Sequence, residues 1–269
     1  MIALPRYNLE PYVEFAKKAF AREATYRMEV FTEVGSLVLR IYLLRAVWTA
    51  LYAQNAAPMN LPLHSMITYA TIALLMSLIL EVDGTRLIRE RLRDGSIATD
   101  LMKPISVPFY FFSDGFGNTA LHAALVIPSL LFALLLVHID VPSPATLAVF
   151  FLSFAIGYFV NFLVNFTMNA VAFWTLETFA LQIIVRWISD LLSGQIIPLV
   201  FVPGNIGRIV LALPFAAIYS TPLLIYVGVI PPGGWLAALG FQVLWLVVFA
   251  AAAAAIWRAA SRHIVIQGG

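Results

Sequence analysis

Uninterrupted apolar runs of about 20 residues recur along this chain, and nothing else in it limits the possible folds so severely. A helix rising 1.5 Å per residue crosses the roughly 30 Å hydrocarbon core of a bilayer in that length. Of the 269 residues, 62% are apolar or aromatic and 11% are charged. Soluble domains carry roughly 45–50% and about 25%, so polar side chains are too few here to cover the apolar surface in water. The expected fold is all-α, a single polytopic membrane domain over residues 1–269.

Six runs meet the length requirement: 28–53, 66–82, 117–138, 146–171, 180–201 and 235–257. A seventh, 209–230, is interrupted by Pro214 and Pro222, preceded by Pro203-Gly204 and ended by Pro231-Pro232-Gly233-Gly234. Lysine and arginine set the orientation. Five lie in the first 27 residues, five between Arg86 and Lys103, and Arg258 and Arg262 follow the last run, whereas 54–65 and 138–144 contain none. Basic residues stay on the cytoplasmic side. Both termini (1–27 at the start) and the 83–104 loop are therefore expected in the cytoplasm, with the spans in the cell inner (plasma) membrane. Parity then calls for six crossings. The 203–234 segment should enter and return from the outer side as a re-entrant helical hairpin around Pro203, Gly204, Pro214, Phe215 and Pro222, with its freed carbonyls buried in protein. A kinked seventh helix is the alternative.

The N-terminus has no signal-peptide pattern, so the first span should act as an uncleaved anchor. Over residues 10–23, Tyr12, Val13, Phe15, Ala16, Ala19 and Phe20 share one helical face and Glu10, Glu14, Lys17, Lys18 and Arg22 the other. That pattern predicts an interfacial helix along the inner leaflet.

No phosphate-binding loop, paired-histidine metal motif or nucleophile elbow is present. With no cysteine, thiolate sites are excluded; the four histidines are scattered, and the basic residues carry no nucleic-acid signal. We expect no enzyme, no metal and no cofactor on this chain. Charged and amide residues inside the spans are the remaining candidates, because an ionisable group in lipid costs about 2.5–3.5 kcal/mol on insertion scales. Glu29, Glu33, Ser36 and Arg40 fall on one face of the first span, which either looks into the bundle or sits at headgroup depth. Arg45 lies on the opposite face and should snorkel outward. Gly157, Asn161, Asn165 and Asn169 form a stripe that can line a polar cavity or bond helices together. In the fifth span Gln182, Arg186 and Asp190 are spaced by four, which lets Arg186 pair with Asp190.

The 83–104 loop is too charged for the membrane and too short for a domain. Residues 85–93 have helix-forming composition, with Asp94-Gly95 as the stop. Arg86, Ile88, Arg89, Glu90, Arg91, Arg93, Asp94 and Gly95 would form a docking surface for a soluble partner; the bland alternative is a solvated loop that only sets topology.

Three segments resemble permeases of type-two ATP-binding-cassette exporters, in the family that includes viologen-exporter permeases. They are Arg91-Leu-Arg-Asp-Gly-Ser-Ile-Ala-Thr-Asp-Leu-Met-Lys-Pro104, Ala172-Phe-Trp-Thr-Leu-Glu177, and Leu192-Ser-Gly-Gln-Ile-Ile-Pro-Leu-Val-Phe-Val-Pro-Gly204 running on to Leu213-Pro-Phe215. The resemblance implies six spans, a coupling helix between spans two and three, a re-entrant pair before span six, and a dimer of permeases, identical or related, on two ATPase subunits that carry the ATP and magnesium. Alternating access driven by those subunits would export a hydrophobic or amphipathic cargo. A nucleotide-independent secondary transporter or channel, working through Glu33, Arg40, Arg186 and Asp190, is the competing expectation, and a membrane-embedded enzyme a third that lacks an acid/base cluster.

Overall fold

A computed structural model describes residues 9–25, 27–53, 61–82, 84–175 and 179–262; side chains 27–31, 179 and 181 also lie outside the described set, and with them Glu29. Every regular element among the described residues is helical. Five helices are long and apolar enough to cross a membrane. They are α2 (Arg27–Ala53), α3 (Leu63–Leu80), α6 (Val107–Leu136), α7 (Pro144–Ala170) and α12 (Trp235–Ala260).

The centre of the bundle is α3. Its apolar window is 72% buried against 11–33% in the other four, because it is uncharged throughout and packs α2 on one side, α6 on another and the short helix α11 (Ser220–Tyr226) on a third. The exposed apolar faces of α2, α6 and α12 are what a lipid environment permits. Ser143 caps α7 by accepting from the Thr146 N–H at 3.2 Å. Arg45 donates to the Leu136 carbonyl and so satisfies the C-terminus of α6 rather than only snorkelling.

Two expected spans differ from the structure. The third was expected to start at 117, after Asp114, but α6 begins at Val107 and carries Asp114 inside it. Asp114 is tolerated because Arg22 of α1 (Glu10–Glu23) donates to both its oxygens at 3.0 and 3.2 Å, and to Asn118 at 3.1 Å. A neutralised, fully bonded carboxylate no longer ends the apolar run. The fifth span, expected over 180–201, is the 14-residue helix α9 (Phe179–Leu192), about 21 Å long. Gly194 turns it at φ +85° with its carbonyl accepting from Tyr69, and Pro198 leads into a 3₁₀ turn, Leu199–Phe201. Five full-length helices plus this shorter one are compatible with six crossings.

Helix α1 has the expected bounds, and its apolar face is divided. Tyr12 and Phe15 meet Phe109 and Tyr110 with ring centroids 5.7 and 4.6 Å apart, and Ala19 is fully buried, while Val13 and Phe20 remain exposed. Gly117 of α6 lies so close to the Ala16 backbone that a Cβ there would overlap it. The helix is thus bolted to α6 by shape and by the Arg22–Asp114 pair.

The 203–234 segment folds as a broken hairpin, α10 (Gly204–Ala212), a 3₁₀ turn (Pro214–Ala217) and α11. Pro203 and Pro214 each precede or open a helix, Pro222 falls in the first turn of α11, and Phe215 packs partly buried against the core. The carbonyls freed by the breaks find donors: Ala212 from Trp245 at 3.3 Å, Ala216 from Thr221 at 3.1 Å, and Ala217 from Gln242 at 2.7 Å. Gln242 is seven residues into α12, so the turn dips about 10 Å along the bundle.

Candidate functional site

The charged loop folds as helix α4 (Arg86–Arg93) followed by α5 (Ile97–Met102). Between them Gly95 adopts φ +76°, and Asp94 accepts from both the Ser96 N–H, at 2.9 Å, and the Ser96 hydroxyl, at 2.5 Å. Those two bonds hold the Asp94 carboxyl below its usual pKa. Helix α4 is amphipathic, and its inner face is buried. Leu87 and Ile88 enter a small core with Val107, Phe111, Phe173 and Trp257. Ile88 is fully buried, so its expected place on a docking surface is corrected: an apolar side chain on a short helix gains more from its own bundle. Gly115 of α6 sits against the Gly84 backbone with no room for a Cβ, which seats the start of the loop on the bundle.

The charged residues divide into two groups. Arg86, Glu90, Arg93, Asp94 and Gly95 are exposed, with Arg86 and Glu90 paired at 2.6 Å. Arg91 turns inward: it donates to the Tyr110 and Ser96 hydroxyls, each at 3.1 Å, and lies 3.3 Å from the buried Asp100, which Lys103 also reaches at 2.6 Å. Burial alone would lower the Arg91 pKa, but the Tyr110 hydroxyl and the Asp100 charge outweigh it and the pKa is raised. Arg89 donates to Gln182 of α9, Gln182 to Asn169 of α7, and Asn169 to Thr85 at the start of α4. These four side chains close a circuit that ties the loop helix to α7 and α9.

Arg89 and Gln182 of that circuit also line a polar cavity of about 280 Å³ between α3, α7 and α9, together with Glu81, Asn161, Asn165, Arg186 and Asp190 among others. A second, of about 190 Å³, is lined by Glu33, Ser36, Arg40, His122 and, again, Glu81 and Arg186. Glu33, Ser36 and Arg40 of the first span thus share one pocket, with Glu33 half-buried and Ser36 and Arg40 exposed. The asparagine stripe does both things open to it. Asn169 is fully buried glue, whereas Asn161, bonded to the Leu80 carbonyl at 2.7 Å, and Asn165, bonded to Asn161 at 2.9 Å, line the cavity. Gly157, at the head of the stripe, packs against the Ile218 backbone.

The expected Arg186–Asp190 pair is not formed. Arg186 reaches Glu81 at 3.7 Å, and Asp190 has neither ion pair nor hydrogen bond among the described residues. Two residues one turn apart compete here with a carboxylate on the neighbouring helix, which Gln195 also bonds at 2.6 Å. Glu33 lies 3.4 Å from His122. Sequence reasoning passed over Glu81 and His122. The signal for Glu81 was modest, a carboxylate ending an otherwise uncharged span, and His122 had none, because its partner is 89 residues away in the chain. Among the described residues, no cluster of three or more histidine and acidic side chains could hold a metal ion.

Comparison with curated proteins returned no match, and neither did comparison with solved structures. The family model described as "ABC-2 family transporter protein" matches residues 26–268, from the start of α2 to the end of the chain. Five membrane-length helices, a charged loop helix tied into them and a match over nearly the full length agree: the chain belongs to the ABC-2 family of transporter proteins.

Proposed function

We propose that this protein is the transmembrane subunit of an ATP-driven exporter that works by alternating access and takes its energy from separate ATPase subunits. Family membership makes it a membrane component of an ABC-2 transporter; the rest is our reading. One observation carries it. Helix α4 buries Leu87 and Ile88, exposes Arg86, Glu90 and Arg93, and is joined through Arg89, Gln182, Asn169 and Thr85 to α9 and α7. A push on its outer face is passed to the helices that line the polar cavity. Its charged exterior suits an ATPase surface of complementary charge, and the cavity supplies a path for cargo with a polar part. On this reading α4, α5 and the termini face the cytoplasm, the 203–234 hairpin is re-entrant from the outer side, and two permeases, identical or related, pair above two ATPases. The cargo is hydrophobic or amphipathic.

Co-purification and ATP hydrolysis in a reconstituted complex test it. The paired reversal Glu90→Arg with Arg93→Glu leaves the buried face intact and should abolish substrate-stimulated hydrolysis or release the ATPase, with normal insertion. Normal ATPase binding and export by this variant removes α4 as the coupling helix. Reporter fusions after Gly95 and Gly269 should read cytoplasmic and one near Asn60 external; an external C-terminus would mean an odd number of crossings. The second reading, a secondary transporter, draws on the Glu33–His122 and Glu81–Arg186 contacts across the cavity. Transport into vesicles that contain this chain alone and no nucleotide would favour it.

A further inference from the structure

On the outer face of the bundle, α6, α7 and α12 leave a groove of about 670 Å³, within the roughly 300–1,000 Å³ of small-molecule sites. One wall is aromatic, with Phe109, Phe112, Phe159, Phe162 and Phe166. The other is α12, whose six consecutive alanines, Ala250–255, include Ala253 and Ala254 of the lining. The groove exists because those small side chains do not reach across to the phenylalanines. Lower on the same pair of helices they do touch, where Gln242 bonds Ser153.

The groove has a polar end and an apolar end. Arg258 and Trp257 lie at one, in the last turn of α12, and Leu246 and Phe159 toward the other. Arg258 is exposed, and its guanidinium makes no ion pair or hydrogen bond among the described residues. From Arg258 to Leu246 is 12 residues, about 18 Å along the helix, slightly more than half of the roughly 30 Å hydrocarbon core. A cation at one end of an apolar slot one leaflet deep fits one class of molecule.

We propose that this groove is a binding site for an anionic phospholipid of the leaflet on the loop side, with one acyl chain along the phenylalanine wall and the phosphate at Arg258. The site is separate from the polar cavity, with which it shares no lining residue. Its selectivity comes from the exposed Arg258 guanidinium. One basic residue at an anionic surface contributes about 1 kcal/mol, which corresponds to a preference of about fivefold for an anionic over a zwitterionic headgroup.

Trp257 reports on the site. The full-length protein is placed in nanodiscs containing either phosphatidylglycerol or phosphatidylcholine with brominated acyl chains, and the Trp257 fluorescence is obtained by difference from Trp257→Phe. Brominated phosphatidylglycerol should quench that component at about one-fifth the mole fraction that phosphatidylcholine requires. Arg258→Gln, at an exposed position, should bring the two lipids level, and Ala254→Phe should fill the slot and remove most of the quenching by either. Equal quenching by both lipids in the unaltered protein would mean an ordinary fluid lipid boundary and overturn the proposal. An absence of Trp257 quenching by either would mean that a protein surface, such as a second copy of the chain, covers the groove, and would overturn it as well.

Discussion

Two segments of this molecule interrupt the run of spanning helices, and they solve the same problem by opposite means. Residues 84–106, with α4 and α5, and residues 193–234, with α10 and α11, both break the chain into short helices joined by tight turns. Each break leaves backbone carbonyls without helical partners. In the charged loop the side chains bond one another and a local N–H and leave the carbonyls aside: Asp94 accepts from the Ser96 N–H, and Arg86 pairs with Glu90. In the proline-rich segment the donors come mainly from elsewhere, with Gln242 and Trp245 of α12 and Tyr69 of α3 serving Ala217, Ala212 and Gly194. Where water is at hand an unpaired carbonyl costs little, so local and even imperfect capping suffices. In an apolar surrounding each one costs several kcal/mol, so spanning helices carry polar side chains at those depths. A buried glutamine in a membrane helix is thus explained by a break in its neighbour.

The sharpest way to break this comparison is Gln242→Leu. It strands the Ala217 carbonyl and the Ser153 hydroxyl together, while the Ser153 carbonyl keeps its partner within α7, and at about 1–3 kcal/mol for each unsatisfied buried group we expect a loss of about 3 kcal/mol. Thermal unfolding in detergent measures it; a melting curve that superimposes on the unaltered protein would sink the idea of carbonyl capture. Next comes Asp114→Ala, which removes the buried partner of Arg22. The carboxylate is almost fully buried but the guanidinium is half exposed, so solvent screening limits the loss to about 1–2 kcal/mol. Its signature is local, faster proteolysis or amide exchange within residues 10–23 while α12 is unchanged. Gly95→Ala tests the loop turn, since an alanine at φ +76° costs about 1 kcal/mol; a neutral result would show that the turn relaxes freely. The smallest effect belongs to Glu90→Ala. The exposed Arg86–Glu90 pair should be worth about 0.3 kcal/mol, and a loss above 1 kcal/mol would mean the loop helix depends on its charges as the hairpin depends on its donors.

Much of this architecture was legible. Helix α1 and the Asp94-Gly95 stop fall where composition and capping chemistry placed them, and α12 starts at the expected residue. Apolar length and turn residues are local properties, readable one segment at a time. The misreadings share a cause. The third span begins ten residues before the expected 117 and takes in Asp114, whose partner Arg22 lies 92 residues away in the chain. Arg186 was paired with Asp190 because both lie on one helix, whereas the carboxylate it meets is Glu81, on another. Ile88 was grouped with the charged residues around it, although its burial depends on Phe111, Phe173 and Trp257 arriving from three other helices.

By itself, then, the sequence determined that the chain is a helical membrane protein, roughly where its long apolar helices lie, and which loop carries the charge, because hydrophobic length and charge density act on each segment independently. Which charges neutralise one another, whether an asparagine glues helices or lines a cavity, and that six alanines open a groove rather than close a contact were decided only by the tertiary structure. Those outcomes depend on distances between helices far apart in the chain, and the strength of an ion pair or hydrogen bond is set by such distances and by the water excluded around them.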